Sequence, residues 1–463
     1  MKVAKDKPAL YNTVISTVRN LSITILNRRK SMNPINQTTL HPYNRSVSII
    51  GVGCTPFMYT MDNPETEGFT EGEFFGYAAY KAMEDAGVTP KDVDFYFHGQ
   101  ASPFNGSNYI TPNMQVSEWF GMRGKASIHH SEACCTGYLA LEQAVNAVAS
   151  GKYNVVLSGC VEFGDSIVDP NKPAFLRKKF DDQLFQESLK WIYDNCYTRE
   201  MMCGPNLHQD DGAAWYKAKY GLTDEQMDDT LIHMAINSRR GAALDELALA
   251  RKTYEEIAKE NGFDDVMEYM KSFYNPFLTG NLRASGLELK CDGAAALIVC
   301  PTEMASQFTD KKPIEVLGIG NSTREANQPH VEVIATQEAT RQVYELTGVK
   351  PEEIDILYAN DFFITSQLIA GEISGYLPEG EGWKYFIDGR TAYDGDKPIN
   401  TNGGRCSFGH AHAASGLADI YEAVMQMRGL CGERQVKKLP KTAFIRGFGG
   451  AQNVASIIMR TKE

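Results

Sequence analysis

A chain of 463 residues with a formal charge of -12 has no basic excess to offer nucleic-acid phosphates, which argues against that class of partner. Hydrophobic residues make up 43% of it, ordinary for a globular protein with a sizeable core, and no apolar run approaches the length of a membrane span. The ten cysteines are scattered, without C-x-x-C or a Cys/His cluster at zinc-ligand spacing, and read as reduced thiols of a cytoplasmic protein.

In chain order, the stretch Met1 to Lys30 carries Lys2, Lys5, Lys7, Arg19, Arg28, Arg29 and Lys30 against Asp6 alone. That is the charge of a transit peptide, or of an extension ahead of a start at Met32. Residues 1–44 are expected to form a poorly ordered N-terminal extension outside the fold. FGYAAYKAMEDA then reads as an amphipathic helix, followed by GVTPKDVD at 87–94 and the apolar, strand-like FYFHG. In SEACCTGYLALEQAVNAVASG the part from Thr136 onward is an amphipathic helix closing at Ser150-Gly151. A cysteine just ahead of such a helix lies where unpaired N–H groups and the macrodipole favour a thiolate. Two small apolar core residues are the plain alternative for Cys134-Cys135, but a place at a helix start, after a strand, favours a nucleophile. Gly137 lets another segment or a ligand approach closely.

Residues 166–284 are rich in charge and aromatics (WIYDNCY, HQDDGAAWY, FYNPF) and show helical periodicity around DEQMDDTLIHMAINSRR. That is the profile of an inserted cap or loop domain, with an aromatic-lined pocket as the expectation. DGAAALIVC at 292–300 reads as a buried strand. Further on, TRQVYELT precedes GVKPEEID at 348–355, and the apolar run ILYAND follows. Asn360 and Asp361 stand there at a strand's C-terminal edge, where α/β sites gather. A helix cap for ITSQLIAGEI is the alternative for Asp361. In NTNGGRCSFGHAHAASGLADIYEAV, glycines 403, 404 and 409 make a turn that delivers His410 and His412 to a helix start. A thiolate beside a histidine is an activated nucleophile. Metal binding by the two histidines is the rival, with no third ligand nearby in sequence.

The chain repeats itself. GVTPKDVD and GVKPEEID lie 261 residues apart. GYLALEQAVNAVASG before VVLSG is matched by GLADIYEAVMQMRG before TAFIRGF, and DGAAALIVC by GGAQNVASIIM at 449–459. Three pairs in one order imply two related α/β halves, with strands buried on both faces. Packed face to face they give a layered αβαβα body: 45–165 plus 285–308 as one half, 312–463 as the other, and 166–284 inserted. Both helix starts, and so Cys134 and His410, then converge on one site.

With these motifs the chain resembles the thiolase superfamily from about residue 46 to 460, closest to sterol-carrier-protein-X-type and archaeal thiolases. The resemblance rests on the nucleophile segment, DGAAALIV, NDFF with the I-A-x-E-x-x-G-Y helix and PEGEG, NTNGGRCSFGHAHAASGLADIYE, and GFGGAQNV. It implies a homodimer of five-layer αβαβα subunits binding CoA thioesters, with coenzyme A as substrate and no permanent cofactor or metal. Cys134 matches the acyl-accepting cysteine, Cys135 being one residue out of step. His410 matches the histidine that activates it and supplies an oxyanion-hole donor. Asn360 matches the asparagine holding a water in that hole. Gly409, Gly449 and Gly450 fall in the glycine-rich segments expected, with Gly137, to line the substrate.

The departures are specific. The places of a second, acid/base cysteine read Ile445 and Phe362, and the proline after the histidine is Ala411. The expectation is that His412 takes over proton transfer, or that the substrate needs no deprotonation by a cysteine, with Cys406 a weaker substitute, on a non-standard acyl group. A ketosynthase-like acyltransferase to an unusual acceptor, such as an aromatic ring or branched acid, is the alternative. So is a non-catalytic acyl-CoA-binding subunit. Some thiolases of this branch work with a small OB-fold/zinc-ribbon protein, which the resemblance makes a partner to look for.

Overall fold

The structure, a computed structural model, describes residues 37–60, 66, 69–101, 111–163, 204–323, 331–449 and 453–462. Its main elements are β1 (Val47–Cys54), α1 (Glu71–Ala86), β2 (Phe95–Gly99), β3 (Ala126–His130), α2 (Thr136–Ala149) and β4 (Val156–Glu162). After them come α3 (Gly204–Tyr220), α4 (Asp224–Ala243), β5 (Gly293–Pro301), β6 (Ile314–Thr323), α5 (Val331–Thr347) and β7 (Ile356–Ala359). The chain finishes with α6 (Thr365–Ile373), α7 (His412–Arg428), β8 (Thr442–Phe448) and β9 (Asn453–Thr461). All belong to one compact unit, Leu40–Glu463; Met1–Thr39 is a second unit, of which residues 1–36 lie outside the described ones.

The strands are ordered β3-β2-β4-β5-β1-β6-β9-β8-β7. The order is mirrored about the β1–β6 joint: β5, β4 and β2 stand on one side as β9, β8 and β7 stand on the other. That joint is short, pairing Ser48 with Glu315 and Ile49 with Ile314. The duplication extends to single side chains. The Asp94 carboxylate accepts the N–H groups of Asn154 and Val155 ahead of β4, as Asp355 accepts those of Lys441 and Thr442 ahead of β8. Gly51 and Gly320 let a helix lie against their strands. A Cβ on either would come within 2.2 Å of a carbonyl oxygen, of Ala82 in α1 or Ala339 in α5.

Alternate residues along a strand face opposite layers. In β5, Ala295, Leu297 and Val299 pack inward with α2 and α7, while Ala294, Ala296, Ile298 and Cys300 pack outward with α1. In β9, Ala455, Ile457 and Met459 join the same inner cluster, while Val454 and Ile458 pack outward with α5 and α4. Helix, sheet, helix pair, sheet, helix is the expected αβαβα order. Strands covered on both faces have no solvent side, so β1, β2, β4, β5, β7 and β8 are buried at every residue.

Of the 166–284 stretch, residues 204–284 are described, and WIYDNCY lies outside the described residues. Helix α4 leans on the second half: Gln367 donates to Ser238 at 3.1 Å, and a Cβ on Gly241 would meet the Thr401 carbonyl at 2.3 Å. The pocket expected from FYNPF is corrected. Phe273 is 78% exposed, and Tyr274 and Phe277 are exposed too. Phe273 and Tyr274 stack on each other, and Phe277 lies beneath the Arg283 guanidinium. Trp215 and Tyr216 do line a small cavity of about 170 Å³ between α3, α5 and α6, which includes no residue expected to be catalytic. No helix of the described residues is long and apolar enough to cross a membrane.

The central helices α2 and α7 cross where Gly137 meets Gly416. A Cβ on Gly137 would lie 2.5 Å from the Ala413 carbonyl and 2.7 Å from Leu417 N. Both neighbours are backbone, so neither yields without moving a helix. Gly137→Ala is expected to cost about 2–4 kcal/mol in denaturant unfolding, against under about 0.5 kcal/mol for alanine at the exposed Lys152.

Candidate active site

The loop between β3 and α2 folds back on itself before the helix begins. The Thr136 hydroxyl accepts from Glu132 N–H at 2.8 Å and donates to the Ala133 carbonyl at 2.5 Å. His130 donates to the Thr136 carbonyl at 3.2 Å, and burial holds its imidazole down to about 4, so it is neutral there. Ala133 carries a φ of 50°, a left-handed conformation costly for any residue with a Cβ. That kink splits the two cysteines. Cys135 caps α2 and is fully buried in the inner core, where burial pushes its thiol pKa up. Cys134 is half-buried and faces the second half of the molecule.

His410 arrives from a turn that the sequence builds with glycine. Gly404 (φ 59°) lies so close to Asp361 that a Cβ would come within 2.4 Å of Oδ1, and Arg405 N–H donates to that carboxylate at 2.6 Å. Asp361 is thus a brace for the turn; α6 starts without a side-chain cap, so the capping alternative is corrected. Burial raises the Asp361 pKa, and the Arg405 N–H works against that rise. Gly409 (φ 123°) turns the chain into His410, with Cys291 Sγ 2.7 Å from where a Cβ would be. His410 is fully buried. Its Nδ1 lies 3.1 Å from Ser415 Oγ and its Nε2 3.3 Å from Cys134 Sγ. With Nδ1 protonated toward Ser415, Nε2 can accept a proton from the Cys134 thiol.

His412 opens α7 with its ring 4.9 Å from that of His410. Cys134, His410 and His412 offer ligand atoms all within 4.8 Å of one another, so space supplies the third metal ligand that sequence did not. A metal held there would occupy the nucleophile itself. Asn360 is fully buried at the end of β7. Its Nδ2 donates to the Phe448 carbonyl at 3.1 Å, and its Oδ1 has no hydrogen-bond partner among the described residues.

Several expectations change. Gly137 and Gly409 permit close approach by α7 and by Cys291 rather than by a ligand. Gly449 packs on the nucleophile loop, its missing Cβ 3.1 Å from Cys135 N, and Gly450 lies outside the described residues. Cys406 sits in the outer core of the second half and donates to the Asp361 carbonyl at 3.1 Å, which removes it as a proton donor to the site. Ile445 lies deep in the inner core, one strand repeat below Gly447 and two below Gly449, so it is not the position next to the nucleophile. Phe362 does stand there, stacked 6.2 Å from the His410 ring.

One residue was not foreseen. Glu288 Oε2 lies 3.3 Å from His410 Nε2, the same atom that meets Cys134. Its only sequence signal was an acidic residue alternating with leucines in GLELKC, before the DGAAALIV strand.

The thiolase C-terminal domain-like family matches residues 320–461. The chain is 30% identical to an acetyl-CoA acetyltransferase of Methanothermobacter thermautotrophicus over 423 residues, 89% of this chain and 98% of the relative. It is 37% identical to the benzoylsuccinyl-CoA thiolase subunit BbsB of Thauera aromatica over 418 residues, 88% of this chain and 95% of the relative. Among solved structures, the Ltp2-ChsH2(DUF35) aldolase superposes with a TM-score of 0.69 at 20% identity, covering 90% of this chain and 98% of that one. Human mitochondrial 3-ketoacyl-CoA thiolase in complex with CoA superposes at 0.63 and 16% identity, covering 92% and 100%.

All described cysteines except Cys134 are buried. Iodoacetamide on the native protein is therefore expected to label Cys134 and leave Cys135 untouched, read by peptide mass spectrometry; equal labelling of the pair would contradict the kinked loop.

Proposed function

The chain belongs to the thiolase superfamily and is an acyltransferase of the thiolase type, and from that premise we propose that Cys134 carries the acyl group between two CoA thioesters. The observation that carries this reading is the 3.3 Å contact of Cys134 Sγ with His410 Nε2, at two helix starts from the two halves. In the cleavage direction Nε2 takes the thiol proton and the thiolate attacks the 3-oxo carbon of a 3-oxoacyl-CoA. The C2–C3 bond then breaks, its electron pair passing to the enolate of the departing thioester, which a proton quenches. A CoA thiol next displaces the acyl group and Cys134 is released. The protonated Nε2 is one oxyanion donor, worth about 3–4 kcal/mol in the transition state. Asn360 supplies the other through a water, which its buried, unpartnered Oδ1 suits.

The proton transfer that a second cysteine performs in the resemblance falls here to another group, with His412 the candidate from sequence. We propose a bulky, aromatic acyl group. The 37% identity to a benzoylsuccinyl-CoA thiolase subunit supports it, as does the apolar Phe362 beside His410. Coenzyme A enters as substrate, with no resident cofactor. The proposed homodimer uses β3, which pairs on one side only among the described residues, ends the sheet and presents Ile128 at 51% exposure. A small OB-fold/zinc-ribbon partner is part of this reading. The similarity to the Ltp2-ChsH2(DUF35) aldolase and to a thiolase subunit, BbsB, supports it.

Incubation with acetyl-, succinyl- and benzoyl-CoA, followed by intact-mass and peptide mass spectrometry, tests the proposal. The expected result is an acyl adduct on Cys134, absent from Cys134→Ala, with benzoyl accepted at least as well as acetyl. CoA binding without an adduct from any thioester would contradict it.

A further inference from the structure

Acyl transfer of this kind must move a proton on and off carbon, and among the described residues Cys134 is the one cysteine that is not buried. Cys406 and Cys135 are buried in separate cores, and Phe362 faces His410. The segment Leu287–Cys291 supplies a different group. It is held on both sides: Glu288 N–H donates to the Phe362 carbonyl at 3.0 Å, and Leu289 N–H donates to that of Arg405 at 3.1 Å. His410 N–H donates to the Leu289 carbonyl at 2.7 Å, and Cys291 N–H to the His410 carbonyl at 3.2 Å. These backbone bonds fix Glu288 against the His410 turn from both neighbours in sequence.

Its side chain is 18% exposed, so one face remains open to a ligand, and its other oxygen lies 3.8 Å from Lys290 Nζ. Glu288 Oε2 and Cys134 Sγ both meet His410 Nε2, the atom against which an oxyanion would form. A permanently charged carboxylate there would oppose that oxyanion. The conflict disappears if the carboxylate loses its charge as the oxyanion gains one, which is what happens when it takes the proton itself. His412, by contrast, meets His410 ring to ring at 4.9 Å.

We infer that Glu288 is the acid/base that exchanges the C2 proton of the acyl-CoA, in the place of a second cysteine. The inference rests on the acyl-Cys134 reading and deepens it. In condensation the Glu288 carboxylate takes a proton from C2, and the C–H electron pair becomes the enolate. The enolate attacks the acyl carbon, the new C–C bond forms, the bond to Cys134 sulfur breaks, and the thiolate recovers its proton from His410. In cleavage the protonated Glu288 returns the proton to C2 as the C–C bond breaks, and regains one from the incoming CoA thiol.

The test separates carbon deprotonation from acyl transfer. Wild type, Glu288→Gln and His412→Ala are incubated with acetyl-CoA and succinyl-CoA in D2O. Deuterium at C2 and the acyl adduct on Cys134 are both read by mass spectrometry, and thermal melting checks folding. The expected result is a loss of exchange of about 10²-fold or more in Glu288→Gln, with the Cys134 adduct still detected and the melting point kept. His412→Ala is expected to keep exchange within about tenfold. Wild-type exchange in Glu288→Gln, or loss of exchange in His412→Ala alone, overturns the inference and leaves the acyl-enzyme reading standing. Absence of any adduct in the wild type overturns that reading and the inference with it.

Discussion

Two glycines facing each other at the centre of the molecule govern everything built around them. Gly137 of α2 and Gly416 of α7 have no side chains between them; a Cβ on Gly416 would stand 2.7 Å from Tyr138 N and 3.0 Å from the Gly137 carbonyl carbon. Helices that touch by backbone are fixed in register as well as in distance. Cys134 lies just ahead of one helix, and His410 and His412 at the start of the other. The crossing therefore sets the Cys134–His410 contact, and side-chain flexibility has little part in it. A helix pair spaced by ordinary side chains, about 8–10 Å between axes, would leave the same residues with freedom to miss.

The fully buried polar groups around the crossing keep the two turns in place. Arg405 pairs with Asp419 of α7 at 2.5 Å, and Asp419 also accepts from the Tyr138 hydroxyl of α2. Burial drives Asp419 up to about 6, with Arg405 opposing the rise. Breaking one partner of such a pair leaves an uncompensated charge in the core, a loss of about 3–5 kcal/mol. Asp361 ties the same Arg405 turn to the end of β7, directly ahead of Phe362, whose ring faces His410. Glu288 enters on the segment ahead of β5, pinned by backbone bonds to Phe362 and to the Arg405 turn. The two related helix starts bring Cys134 and His410 together, and the segment ahead of β5 adds the Glu288 carboxylate beside them.

Much of this was legible in the sequence because it depends on local periodicity. GVTPKDVD and GVKPEEID mark equivalent corners because each needs a left-handed glycine after a helix and an aspartate before a strand. The convergence of Cys134 and His410 followed from treating the halves as equivalent. What failed depends on direction in space. Cys406 is near His410 in sequence, but the Gly404–Ser407 turn points its thiol to the outer core. Gly137 was right as a point of close approach, and only the structure says that the approaching group is a helix. Glu288 had only the weak signal of an acidic residue between leucines, since its contact arises from backbone pairing with Phe362 and Arg405, far along the chain.

In the proposed chemistry, acyl transfer at Cys134 depends on the base that the helix crossing delivers. Single-turnover release of CoA from acetyl-CoA or benzoyl-CoA, compared between wild type and His410→Asn, tests it most directly. The expected rate is lower by about 10²- to 10⁴-fold in the variant, with iodoacetamide still reaching Cys134. A variant that releases CoA and acylates Cys134 within twofold of wild type would contradict it.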